Sequence, residues 1–160
     1  NKTISLVPKR AELLQLKIQL DGYKKDWADA TAVAERIVSL NPYDPALKWQ
    51  LAMAYYLNGQ TEEAVKAGDE AVAKGFKFTQ LRQFAWYIQY YENKKDYAKV
   101  APLLEQAVSL ESNEIGLYID LAKTYAALGD KEHAKALAEQ IIKSDPTQKA
   151  AMEAFIESLK

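Results

Sequence analysis

The sequence predicts an all-α fold, an α-solenoid of four helix-turn-helix repeats in tandem with a C-terminal capping helix. Three observations predict it. Small or apolar residues recur at intervals of 34, 36 and 34, those residues carry the spacing of amphipathic helices, and glycine and proline fall between the helices at fixed phase.

The periodic columns begin with the small residue after each presumed turn: Ala30, Ala64, Val100 and Ala134. Ile37, Ala71, Ala107 and Ile141 keep the same intervals, as do Pro42, Phe76, Ser112 and Pro146. In the last three repeats Leu51, Tyr87 and Leu121 align, then Ala52, Ile88 and Ala122, then Tyr55, Tyr91 and Tyr125. Leu51, Ala52 and Tyr55 stand at i, i+1 and i+4, one stripe of a 3.6-residue helix; Ala64, Ala67 and Ala71 form the facing stripe. Small side chains let two helix backbones approach, and the larger ones fill the space between. Asn58-Gly59 and Leu128-Gly129 end the first helix with a residue that takes positive φ, and Lys95 holds that place in the third repeat. Asn41-Pro42 and Asp145-Pro146 end the second helix, because proline disfavours helical geometry in the residue before it.

These columns divide the chain into an N-terminal extension (1–10), repeats at 11–44, 45–80, 81–114 and 115–148, and the capping helix at 149–160. Leu13, Leu16 and Leu20 give the first repeat its stripe if its turn, Asp21 to Asp26, is one residue longer. The second repeat is longer by two residues, so Gly75-Phe-Lys-Phe78 is expected to form a wider connection whose aromatics pack between repeats. Pro102 falls early in a second helix, where it deletes one backbone hydrogen bond and is expected to kink the chain.

Composition excludes several functions. Lys plus Arg number 21 against 22 Asp plus Glu, so no overall field draws in a polyanion and nucleic acid is not expected as a partner. With no cysteine, disulfides, thiolate metal sites and cysteine nucleophiles are ruled out. No apolar run reaches the roughly 18 residues of a membrane span, so no membrane insertion is expected and the chain reads as a soluble segment. It starts with Asn1, the pattern of a processed product or a piece of a longer protein.

Motifs for chemistry are missing. The six glycines are dispersed without phosphate-loop spacing, and no GxSxG nucleophile motif occurs. His133 is the single histidine, set in Asp130-Lys-Glu-His-Ala-Lys135, and reads as a solvated residue and not a metal ligand. Glu62, Glu63, Asp130 and Glu132 fall where carboxylates favour a helix amino end. Asn1-Lys-Thr3 matches the short glycosylation acceptor pattern. No catalytic residue, cofactor or metal is expected.

The period, the Leu-Ala…Tyr…Gly…Ala…Ala order and the closing proline resemble the tetratricopeptide repeat family. The match is clearest at Trp49 to Gly59 and Leu121 to Asp130, and the resemblance covers nearly the whole chain. It implies a right-handed superhelix whose first helices line a concave groove, and a non-catalytic scaffold that binds a protein or peptide there. Residues between the packed columns then face the groove: Trp49, Gln50, Met53 and Tyr56 in the second repeat; Arg82, Trp86, Gln89 and Asn93 in the third; Ile119, Asp120 and Lys123 in the fourth. The first repeat offers Gln15 and Gln19. Trp49 and Trp86 are candidate anchors, since a rigid indole gives large contact area at low entropy cost, although each equally suits packing between neighbouring helices.

Family members that hold chaperone tails are similar to one another in a clamp of lysines, asparagines and an arginine. Of the matching positions here, Gln15, Gln19, Gln50, Arg82 and Trp86, only Arg82 is basic, so an acidic tail is not the expected occupant. Two other roles fit the sequence: a regulatory or positioning domain appended to a larger enzyme or membrane protein, and a scaffold that assembles with itself into a homo-oligomer.

Overall fold

The computed structural model describes residues 25–160. The N-terminal extension, the stripe Leu13, Leu16 and Leu20, the candidates Gln15 and Gln19, most of the first turn and the Asn1–Thr3 motif lie outside the described residues. The chain divides into two compact units, one ending at Lys77 and one beginning at Phe78.

Among the described residues the first unit holds α1 (Trp27–Leu40), α2 (Pro45–Leu57) and α3 (Thr61–Ala73). Asp26 starts α1, its carboxylate accepting from the Asp29 amide at 3.3 Å. Asp44 starts α2 in the same way, from the Ala46 amide at 2.8 Å, with Pro45 in the first turn where its missing N–H costs nothing. α1 stops at Leu40, just before Asn41-Pro42. α2 and α3 pack as a pair, with Ala52, Ala64 and Ala71 fully buried (0% exposed) where the two backbones approach. The Thr31 hydroxyl donates to the Ala54 carbonyl at 3.2 Å and ties α1 to α2.

The second unit holds α4 (Ala85–Asn93), α5 (Tyr97–Leu110), α6 (Ile115–Ala127), α7 (Lys131–Ser144) and α8 (Lys149–Ser158), with short 3-10 turns at Leu81–Gln83 and Pro146–Gln148. α4 packs with α5 and α6 with α7. α5 runs on through the exposed Pro102 as one helix to Leu110. α7 ends at Ser144, ahead of Asp145-Pro146. α8 closes over α7 through a core of Ala138, Ile141 and Met152.

The columns correspond to burial. Ala30, Ala64, Val100 and Ala134 are all 0% exposed, and Ile37, Ala71, Ala107 and Ile141 are at most 2%. The turn before each of the first set passes through left-handed φ: +58° at Lys25, +78° at Gly59, +56° at Lys95 and +81° at Gly129. Lys25 thus extends the turn column into the first repeat at the common interval.

One start differs from expectation. The third first-helix does not begin at 81: Leu81–Gln83 form a 3-10 turn, Phe84 leaves helical geometry at φ −133°, and α4 begins only at Ala85. The reason is packing, since Phe84 is fully buried and stacks on Phe78 with ring centroids 4.1 Å apart. The other aromatic of that connection, Phe76, stacks on Trp49 at 5.5 Å within the first unit.

A second recurrence ties second helices to the following first helix. The Tyr55 hydroxyl donates to Glu35 at 2.7 Å and the Tyr125 hydroxyl to Glu105 at 2.6 Å, each joining residues 20 apart. Both phenols are pushed up to about 12, Tyr55 by burial and then by Glu35 and Glu63, Tyr125 by its bond to Glu105 and then by burial.

Three outcomes are expected. A left-handed lysine costs roughly 1–2 kcal/mol, part of which glycine gives back as chain entropy, so Lys95→Gly should gain about 0.5–1 kcal/mol in urea denaturation. Gln60 is the one cap of this column without a side-chain bond to the helix amides, where Asp26, Asp96 and Asp130 make one, so Gln60→Asp should add about 1 kcal/mol. The tyrosines set an alkaline limit. A folded pKa above the unfolded value of 10.0 gives stability that is whole below pH 10 and lost as pH rises through about 12. Tyr55→Phe with Tyr125→Phe should flatten the fall in stability across that range; an unaltered slope would remove the Tyr–Glu bonds as its cause.

Candidate functional site

In the first unit the proposed contact residues lie along α2. Gln50 is exposed, Met53 half-buried and Tyr56 39% exposed, and Leu57, which sequence reasoning passed over, is 43% exposed. Gln50, Met53 and Leu57 stand at i, i+3 and i+7 and so share a face; Tyr56 is three residues beyond Met53. The spacing from Gln50 could have identified Leu57. Of the two readings open for Trp49, anchor or packing residue, its burial fits the second: it is 4% exposed, its ring nearly parallel to Phe76 at 14°. An indole stacked in this way has no open face for a partner.

Beside this stripe a cleft of about 260 Å³ lies between α2 and α3, lined by Lys48, Leu51, Tyr55, Glu63, Lys66, Ala67 and Glu70. Its charges are balanced locally. Lys48, its side chain only 12% exposed, pairs with Glu70. The Lys48 bond, with the nearby charges of Lys48, Lys66 and Lys74, holds the Glu70 carboxyl below its ordinary range.

In the second unit Gln89 and Asn93 are exposed and stand one turn apart on α4. Glu92 beside them is half-buried, its carboxyl raised by burial and then by the charge of Asp120. Asp120 and Lys123 are exposed on α6 with 3.7 Å between their charged groups, and Ile119 is half-buried. Two candidates fall elsewhere. Trp86 is 8% exposed and packs at 5.4 Å from Tyr87. Arg82 is exposed but sits on the 3-10 turn, off the α4 face, with its Nε donating to Gln80 at 2.6 Å. The kink at Phe84 displaces it from the helix that carries Gln89 and Asn93.

His133 is exposed, with Nδ1 2.7 Å from Asp130 and its ring 5.2 Å from Tyr125. Glu62 and Glu63 occupy the first turn of α3, and Glu132 that of α7. Asp130 is held below its usual range by the backbone amide and then the ring of His133. Asp130 caps α7, and the three glutamates stand in first turns, where the helix dipole favours a carboxylate. Among the described residues no group of three or more His, Asp or Glu could hold a metal ion, and no helix is long and apolar enough to cross a membrane. The exposed groups on the first helices are amides, a thioether, a phenol and single charges, which suit hydrogen bonds to peptide backbone and contacts with apolar side chains.

The burial of Trp49 has a measurable consequence. Trp49→Ala should cost about 3–5 kcal/mol of unfolding free energy, against less than about 0.5 kcal/mol for its exposed neighbour Gln50→Ala. Equal, small losses in urea denaturation would return Trp49 to the surface.

The comparisons agree with the paired-helix repeat fold. The tetratricopeptide repeat family model matches residues 23–83 and 94–159. Among solved structures, this chain superposes on YrrB, described as "a TPR protein with an unusual peptide-binding site", at TM-score 0.62 and 16% identity over 88% of this chain and 74% of that one. It superposes on MamA of Desulfovibrio magneticus RS-1 at TM-score 0.60 and 16% identity, covering 94% and 83% of the two chains. For PilF of Pseudomonas aeruginosa the values are 0.53 and 13%, over 96% and 68%. No curated protein sequence matches. With the family model covering most of its length over helices packed in pairs, the chain belongs to the tetratricopeptide repeat family.

Proposed function

We propose that this protein is a non-catalytic scaffold that binds a peptide segment of a partner protein along the exposed faces of its first helices. The observation that carries the reading is the stripe on α2, where Gln50, Met53, Tyr56 and Leu57 combine two apolar side chains, a phenol and an amide on exposed or half-buried positions. Such a mixture favours an extended or helical peptide with apolar anchors over a strongly acidic one. In the second unit Gln89, Asn93 and Lys123 add side chains suited to backbone amides and a carboxylate. The tetratricopeptide family consists in general of protein- and peptide-binding scaffolds, typically non-catalytic. YrrB, similar in fold, is described by a peptide-binding site, which supports the reading here.

Trp49 and Trp86 act in this reading from beneath, holding the helices that carry the contact residues. Selection of a phage-displayed random peptide library on the full chain supplies a ligand whose affinity calorimetry then measures. Met53→Ala with Tyr56→Ala is expected to weaken it tenfold or more, the loss of about 1.4 kcal/mol typical of anchor contacts. Affinity retained in that variant, and again in Gln89→Ala with Asn93→Ala, would remove the first-helix faces as the binding site.

A further inference from the structure

Where the end of a second helix meets the turn that leads into its partner, the two units differ. In the first unit Lys74, which ends α3, donates to the Pro42 carbonyl at 3.1 Å and lies over the Tyr43 ring at 4.8 Å, and Lys48 of α2 pairs with Glu70 of α3. These links tie α3 to the turn and to α2. The interval of 70 that carries Ala64 to Ala134 carries Pro42 to Ser112, Tyr43 to Asn113, Lys48 to Tyr118, Glu70 to Gln140 and Lys74 to Ser144. Every side chain that makes a link in the first unit is thus exchanged in the second.

The exchange opens the place. Ser144 carries no ammonium to reach across, and its hydroxyl turns back to the Gln140 and Ile141 carbonyls at 3.1 and 3.2 Å. Tyr118 and Gln140 cannot form the ion pair of Lys48 and Glu70. A cleft of about 270 Å³ lies between the turn after α5, the start of α6 and the end of α7, lined by these five residues and Ile115. None of the six is charged. Among the described residues the side chains of Ser112, Asn113, Tyr118 and Gln140 have no hydrogen-bond partner. Tyr118 is half-buried and packs against the core around Ile141.

These side chains select the occupant. A charged molecule would find no counter-charge in the lining, and an apolar one would take water from two amides and two hydroxyls without replacing their hydrogen bonds. A neutral molecule with several hydroxyls satisfies them, because each hydroxyl both donates and accepts, and its C–H surface finds apolar contact on Tyr118 and Ile115. We propose that this cleft binds a neutral sugar residue. Its volume lies below the roughly 300–1,000 Å³ of sites for drug-sized ligands, which suits a single ring. None of the residues of the proposed peptide surface lines it, and the two readings stand or fall separately.

The probes are free glucose, galactose, mannose and N-acetylglucosamine, each titrated against the full isotope-labelled chain and followed by saturation-transfer NMR and by backbone amide shifts. At least one is expected to bind with a dissociation constant in the millimolar range and to move amides within 112–118 and 140–144. Asn113→Tyr with Ser144→Lys rebuilds in the cleft the link that Lys74 makes with Tyr43, and should abolish binding. Gln140→Ala should weaken it at least threefold; it alters one exposed side chain and keeps the test open if the double variant fails to fold by circular dichroism. Met53→Ala with Tyr56→Ala should leave it unchanged, which separates this cleft from the peptide surface. Binding of none of the four sugars, shifts confined to other residues, or undiminished binding by either folded cleft variant would overturn the proposal. So would tighter binding of acetyl-triglycine amide at the same amides, since the cleft would then be a peptide site.

Discussion

Each packed pair depends on how closely two helices approach after a turn of only a few residues. At Lys25, Gly59, Lys95 and Gly129 the backbone passes through left-handed φ, and five residues later Ala30, Ala64, Val100 and Ala134 are completely buried. At Gly59, Lys95 and Gly129 the turn reverses the chain between two described helices, so the side chain that first meets the preceding helix must be small: alanine twice and valine once. Where Lys95 takes the turn in place of glycine, left-handed strain is accepted because the pair of α4 and α5 requires that geometry. The tertiary contact thus overrides the local preference of the residue.

Much of this was legible in the sequence because the signals are local or periodic. Burial in the columns, the ends of α1 and α7 ahead of proline, and positive φ at Gly59 and Gly129 all follow from residue types at fixed spacing. The start of α4 did not, since it is decided by Phe78 stacking on Phe84, a contact that periodicity does not encode. Once Phe84 leaves the helix, Arg82 is carried off the face assigned to it. The two tryptophans, for which groove and interior were equally open in the sequence, take the interior for a related reason. A helix assigns directions in steps of 100°, but an indole is wide enough to fold back into the interior when an aromatic partner is there. For Trp49 that partner is Phe76, 27 residues later in a connection whose path the spacing left open.

Charge is organised locally and not as a field. Lys48 with Glu70, Lys123 with Asp120, Lys135 with Glu139 and Lys149 with Glu153 pair within a helix or across one helix pair. With a net charge of −1, the chain as a whole exerts little long-range steering on a charged molecule. Half-buried Glu92 is an exception, because burial and Asp120 both disfavour its charge. A cationic or hydrogen-bond-donating group beside it would relieve that cost, so the second unit is not indifferent to the polarity of what lies on α4.

The two compact units therefore offer different chemistry from one plan. Along α2 the first-helix face is soft and apolar, with Met53, Tyr56 and Leu57, and its chemistry suits apolar side chains. Along α4 and α6 the same face is polar, with Gln89, Asn93 and Lys123, and it suits backbone and charge. The repeat plan permits this because it reserves only the column positions for packing. Residues between columns can change without altering how the helices meet, except where one is large enough to reach the interior, as Trp49 and Trp86 are. Variation between the columns therefore leaves the helix packing intact, while Trp49 and Trp86 are drawn into it by their size.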